Sequence, residues 1–61
     1  MRRRRLLSHL RAHGCVFVRE GRRHSVWANP ANNTQTVVPR HTEIREIMVR
    51  KICRDLDILR P

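Results

Sequence analysis

Four breaks divide this chain into five short segments, and the length and pattern of each segment leave little choice of structure. Gly14 is the first break, Glu20-Gly21-Arg22 the second, Asn29-Pro30-Ala31-Asn32-Asn33 the third and Pro39 the fourth. Glycine accepts the left-handed backbone that closes a helix, Asn and Pro favour turns, and Pro has no N–H to give to a strand ladder. Ahead of Gly14, Leu6, Leu7, Leu10 and Ala12 fall on one helical face, while Arg5, Ser8, His9 and Arg11 lie largely on the other. That spacing predicts a short amphipathic helix over Arg4–His13. Cys15–Glu20 contains Val16, Phe17 and Val18, His24–Asn29 contains Val26 and Trp27, and Thr34–Val38 is β-branched apart from Gln35. These three segments are predicted strands. Beyond Pro39, Val49, Ile52, Cys53 and Leu56 recur at helical spacing, so a second amphipathic helix is expected to run to about Leu56. Its start falls between Thr42, a possible cap, and Glu46. Ile44, Ile47 and Met48 lie partly off that stripe and are assigned to the core, with an exposed partner-binding patch as the alternative.

The resulting order is helix, three antiparallel strands, helix, an α+β domain with both helices on one sheet face. Residues 1–61 form one domain, and so short a chain buries only roughly 60% of the surface its unfolded form exposes. A protein partner is therefore expected, and the second sheet face is left for solvent, RNA or that partner. Alternation places His24, Val26 and Ala28 on one face and Ser25, Trp27 and Asn29 on the other. With Val26 taken as the core residue, Trp27 faces outward, available to stack on a base or pack against a partner, and His24 escapes burial only at the open end of its strand.

The charge balance narrows the partners. Lys and Arg number 14 against 5 Asp and Glu, a formal charge of +9, and Lys51 is the single lysine. Arginine's planar fork matches phosphate oxygens two at a time, so a polyanion, nucleic acid first, is indicated. Arg2, Arg3, Arg4 and Arg5 put positive charge at the positive end of the first helix, which disfavours helix there. Residues 1–4 are accordingly expected to form a frayed basic arm free to reach a phosphate. No apolar run approaches the roughly 18 residues of a membrane span, and no signal-peptide core follows Met1, so a cytoplasmic protein without membrane contact is expected. In that setting Cys15 and Cys53 read as reduced, buried small hydrophobes. His9 and His13, four apart, together with Cys15 suggest zinc, but the ligands are too few, and no metal or cofactor is expected.

A leading Leu-Leu helix, His13-Gly14-Cys15-Val16 entering a strand, Gly21-x-x-His24-Ser25-Val26-Trp27, and Val38-Pro39-Arg40-His41 after the third strand together resemble the HicA family of toxins from toxin–antitoxin pairs. The similarity runs from about Arg4 to Ile58. It implies a fold akin to double-stranded-RNA-binding domains, cleavage of mRNA that stops translation, neutralisation by a HicB-type antitoxin and assembly into a toxin–antitoxin complex. It also implies that His24, the histidine of the Gly-x-x-His motif, is catalytic. Three positions depart from the family pattern. Arg22 and Arg23 stand where small or amide residues are common, Trp27 stands where the aromatic is often tyrosine, and Asp57 replaces a glycine usual near the end of the last helix.

The chemistry is consistent with that implication. RNA carries its own nucleophile, so cleavage needs a base near the 2′-hydroxyl, an acid near the leaving oxygen and positive charge at the phosphate. Histidine ionises near neutrality and suits the proton transfers. Arg22 and Arg23 flank it as phosphate ligands. Ser25 is a candidate phosphate contact but, lacking a base, not a nucleophile. Arg40 and His41 follow the third strand and reach the same site if that strand neighbours the second. From the residues alone, a turn histidine that only binds RNA or backbone accounts for the pattern better than catalysis does, and it is the resemblance that favours catalysis, so a non-catalytic RNA-binding module is the rival reading. A DNA-binding subunit ranks below both, because no helix presents base-reading side chains.

Overall fold

The computed structural model describes all residues from Met1 to Pro61. The elements run α1 (Arg3–Ala12), β1 (Val16–Glu20), β2 (His24–Asn29), β3 (Thr34–Pro39) and α2 (Glu46–Asp55), the expected α+β order. The strands form one antiparallel sheet in the order β1-β2-β3. α2 starts at the late end of its expected window: its N-cap is Arg45, no side chain caps it, and Thr42 lies outside it. β3 runs one residue further than expected, through Pro39, which pairs with His24 at the end of the ladder where a missing N–H costs little.

Both helices lie on the face of Trp27 and Val38. Leu6, Leu7 and Leu10 from α1 and Val49, Ile52 and Cys53 from α2 join those two strand residues, Cys15, Ile44 and Leu56 in one core cluster. The expected orientation of β2 is thereby reversed. Trp27 is 3% exposed and belongs to the core rather than to the outer face, its ring meeting Phe17 edge-on and carrying the Arg11 guanidinium at 5.3 Å. Ladder partners fix the other residues: Trp27 faces Thr36 and Ser25 faces Val38 on the covered side, while Val26 pairs with Val37 and His24 with Pro39 on the open side. Both apolar and polar residues point inward because each buried polar side chain of β2 and β3 has a partner. Asn29 Nδ2 donates to the Leu56 carbonyl at 2.8 Å, Thr36 Oγ1 to Asp55 at 2.9 Å, and Ser25 is held by Arg3 and Glu20. Of the three residues off the α2 stripe, Ile44 is buried and Met48 packs against the core, whereas Ile47 is 74% exposed.

The expected frayed arm at residues 1–4 is instead built into the fold. Arg2 bridges Glu43 in an antiparallel pair, and the Met1 ammonium donates to Glu43 at 2.7 Å and to the Ile44 carbonyl at 3.0 Å. The Arg3 N–H reaches the Thr42 carbonyl at 2.8 Å. The extended pairing of Met1–Arg3 with Thr42–Ile44 anchors the start of the helix and outweighs the positive charge placed at its positive end. Cys15 and Cys53 are free and buried, and burial pushes both thiols above their ordinary ionisation range. No helix is long and apolar enough to cross a membrane.

Candidate active site and nucleic-acid interface

The tight connection between β1 and β2 carries the candidate chemistry. Gly21 N–H donates to the His24 carbonyl at 2.7 Å and closes the turn. A Cβ on Gly21 would lie 3.0 Å from that carbonyl oxygen and 3.4 Å from both Cδ2 and Nε2 of the His24 ring. The imidazole thus lies at ordinary contact distance from the turn, and a side chain at this position would press on the His24 carbonyl and shift the backbone that carries the ring. His24 is half-buried on the open sheet face, and Arg22 and Arg23 are exposed beside it. The conflict between a core-facing Val26 and an accessible His24 disappears, because neither residue points toward the helices.

A polar network braces the turn from below. Arg3 Nε donates to the Pro39 carbonyl at 2.8 Å and Arg3 Nη2 to Ser25 Oγ at 2.8 Å, while Ser25 Oγ contacts the two Glu20 carboxylate oxygens at 3.0 and 3.1 Å. Arg40 Nη1 pairs with Glu20 and donates to the Gly21 carbonyl at 3.0 Å, and Arg40 Nη2 donates to the Arg22 carbonyl. The hydrogen bond from Arg40, then that from Ser25, holds the Glu20 carboxyl below its ordinary range. A guanidinium tied to two successive carbonyls fixes the backbone that presents Arg22, Arg23 and His24.

The site residues read from the sequence thus separate. His24, Arg22, Arg23 and Arg40 come together, Arg40 as a brace for the turn. Ser25 is 1% exposed beneath Arg3 and Glu20, so it is a linking residue of the network and is not open to a phosphate. Trp27 is in the core and offers no stacking surface. His41 lines a cleft of about 580 Å³ with Pro39, Glu43, Ile44, Arg45 and Met48, and His24 is not among the residues of that cleft. The His9 and His13 rings lie with centroids 4.3 Å apart and planes tilted by 49°, His9 is bonded to the Leu59 carbonyl, and no group of three or more His, Cys, Asp or Glu is placed to hold a metal ion. Sequence reasoning missed Arg3 and Glu20. Glu20 was within reach, since it directly precedes the turn and faces Ser25 across a short hairpin. Arg3 was not, because its contacts lie 22 and 36 residues away.

Fold and turn together define a small, strongly basic α+β domain that presents a histidine directly after two exposed arginines. The family model described as "HicA toxin of bacterial toxin-antitoxin" matches residues 3–58, nearly the whole chain. The chain belongs to the HicA toxin family and is a toxin of a toxin–antitoxin system. Comparison with curated proteins and with solved structures gives no match.

Proposed function

We propose that this toxin is an endoribonuclease that cleaves mRNA with His24 as its proton-transfer group and is silenced by a HicB-type antitoxin. The observation that carries the reading is the accessible imidazole seated against Gly21 in a turn whose two exposed neighbours are Arg22 and Arg23. His24 takes the proton from a ribose 2′-hydroxyl. The 2′-oxygen forms a new bond to phosphorus as the bond from phosphorus to the 5′-oxygen breaks, and solvent supplies the proton to that leaving oxygen. Arg22 and Arg23 hold the phosphate and offset the charge that builds on it. An antitoxin that covers the same turn with acidic and apolar surface would block both functions at once.

The test is incubation of the purified chain with a defined RNA in EDTA, with cleavage and binding measured in parallel. His24→Ala is expected to lower the cleavage rate about 10²- to 10⁴-fold with binding retained. Gly21→Ala, which crowds the His24 carbonyl and so shifts the backbone that carries the ring, is expected to fall between wild type and His24→Ala. Binding by all three folded proteins with cleavage by none would replace this reading with that of an RNA-binding module.

A further inference from the structure

The N-terminal arginines and the segment after β3 enclose a second feature, a cleft of about 450 Å³ lined by Arg2, Arg3, Arg4, Leu7, Arg40 and Thr42. Four of its six residues are arginine and none is acidic. The nearest carboxylates are already engaged: Glu43 with the Met1 ammonium, and Glu20 with Arg40 and Ser25. Folding thus gathers four guanidinium groups around one cleft without a carboxylate in its wall, an arrangement that attracts an anion.

The four arginines divide by their contacts. Arg3 and Arg40 are spent on the protein, Arg3 on Pro39 and Ser25 and Arg40 on Glu20 and the turn carbonyls. Arg2 and Arg4 are exposed and make no side-chain hydrogen bond or ion pair, so their donors are free. The two committed arginines form a shared wall, since they touch both the cleft and the framework of the His24 turn. Pro39, whose carbonyl Arg3 holds, is the ladder partner of His24.

We propose that this cleft is a strand-binding subsite in which Arg2 and Arg4 hold phosphodiesters of the same RNA strand beyond the one presented to His24. The inference rests on the reading of the chain as an RNA-binding toxin, but not on cleavage. Its consequence is a minimum substrate length: an RNA too short to leave the His24 turn gains nothing from the cleft.

The experiment measures binding of the full-length His24→Ala chain to an unstructured RNA of about 12 nucleotides, and to a dinucleotide, across a salt series. Each single-strand phosphate contact contributes about 0.7 to the slope of log affinity against log salt. Arg2→Gln/Arg4→Gln is expected to lower the magnitude of that slope by about 1.4 and to weaken binding roughly 25-fold at 0.1 M salt. With the dinucleotide the same pair is expected to change affinity by less than about twofold. Arg2→Lys/Arg4→Lys, which keeps the charge, confirms by its retained slope that loss of charge and not misfolding is measured. Arg50→Gln/Arg54→Gln on α2 removes the same charge away from the cleft; an equal loss in that protein, or no loss in the cleft variant, overturns the proposal. No RNA binding by the parent overturns both the subsite and the ribonuclease. The expected binding pattern without cleavage by wild type leaves the subsite standing and removes the ribonuclease.

Discussion

The two faces of β2 are built from alternate residues of one six-residue strand and do opposite work. On the covered face, Ser25, Trp27 and Asn29 are 1%, 3% and 4% exposed, and two of those three side chains are polar. On the open face, His24 and Ala28 are half-buried and Val26 is enclosed between Arg19 and Val37 of the flanking strands. Burial on the covered face is therefore decided by the helices above it and not by the polarity of the residue alone, whereas on the open face Val26, 6% exposed, is covered without them. The covered face supplies the stability, and the open face is left free to expose a histidine at its edge. Separating the two lets a chain of 61 residues expose the histidine turn without opening its core.

Substitution at adjacent positions is the most direct way to break this comparison. Trp27→Ala removes the largest side chain of the covered face and is expected to cost about 3–5 kcal/mol, enough to unfold much of a domain this small. Val26→Ala on the open face is expected to cost about 1.5 kcal/mol, from the two carbons it removes. Trp27→Phe should stay within about 1.5 kcal/mol of wild type, because the buried Trp27 Nε1–H has no hydrogen-bond partner and its removal relieves the unpaired donor. Urea denaturation of the three variants measures all of this. Equal losses in Trp27→Ala and Val26→Ala would mean that the two faces are energetically equivalent.

The same pair shows how far the sequence was legible. Element order and type followed from the four breaks, because Gly14, the Gly21 turn, the Asn29–Asn33 cluster and Pro39 act locally through backbone preference. The face of β2 did not, because His-Ser-Val-Trp-Ala-Asn gives each face one large apolar residue and alternation cannot choose between them. The choice was made by distant partners. Ser25 is satisfied by Arg3, Asn29 by the Leu56 carbonyl and Thr36 by Asp55, and none of these pairings has a local signature. For the same reason His24 and its arginine neighbours, Arg40 included, were readable as a candidate site and Glu20 could be reached from its place before the turn, whereas Arg3 in the brace beneath them could not.

That brace makes the boundary between the faces sensitive to acid. Glu20 is held below its ordinary range by Arg40 and Ser25, Glu43 by the chain's ammonium group, and Asp55 by Lys51 and Thr36. A carboxyl whose folded value is depressed stabilises the fold above its unfolded value, about 4, and loses that contribution as pH falls through the lower folded value. Thermal midpoints are thus expected to decline as pH drops from about 5 toward 2. Glu20→Gln should flatten part of that decline, and at neutral pH it should loosen the turn by freeing Arg40. An unchanged acid limb in Glu20→Gln would show that the Arg40 brace contributes nothing to stability. Because Glu20 is exposed, the effect should be smaller than that of Trp27→Ala and should shrink with added salt.

The smallest expected effect lies at the ends of the two helices that form the cover. Both helices close in the same way: Gly14 N–H donates to the Arg11 carbonyl and Cys15 N–H to Leu10, while Asp57 N–H donates to Arg54 and Ile58 N–H to Cys53. Each pair is the double bond of a Schellman closure, and in each the residue after it, Cys15 or Ile58, packs on the core. The closures differ only in the residue asked to adopt the left-handed backbone, glycine at φ +83° after α1 and aspartate at φ +54° after α2. A side chain there costs an L-residue about 1 kcal/mol, partly offset by the greater freedom that glycine gives the unfolded chain. Asp57→Gly is therefore expected to gain roughly 0.5 kcal/mol, raising the thermal midpoint by about 2–4 °C. Gly14→Asp should lose a similar or larger amount. Because a Cβ at Gly14 would meet no atom within 4 Å, that loss is conformational and not steric. A stabilising Gly14→Asp, or a destabilising Asp57→Gly, would mean that the aspartate after α2 is held by something other than its backbone and that the two closures are not equivalent.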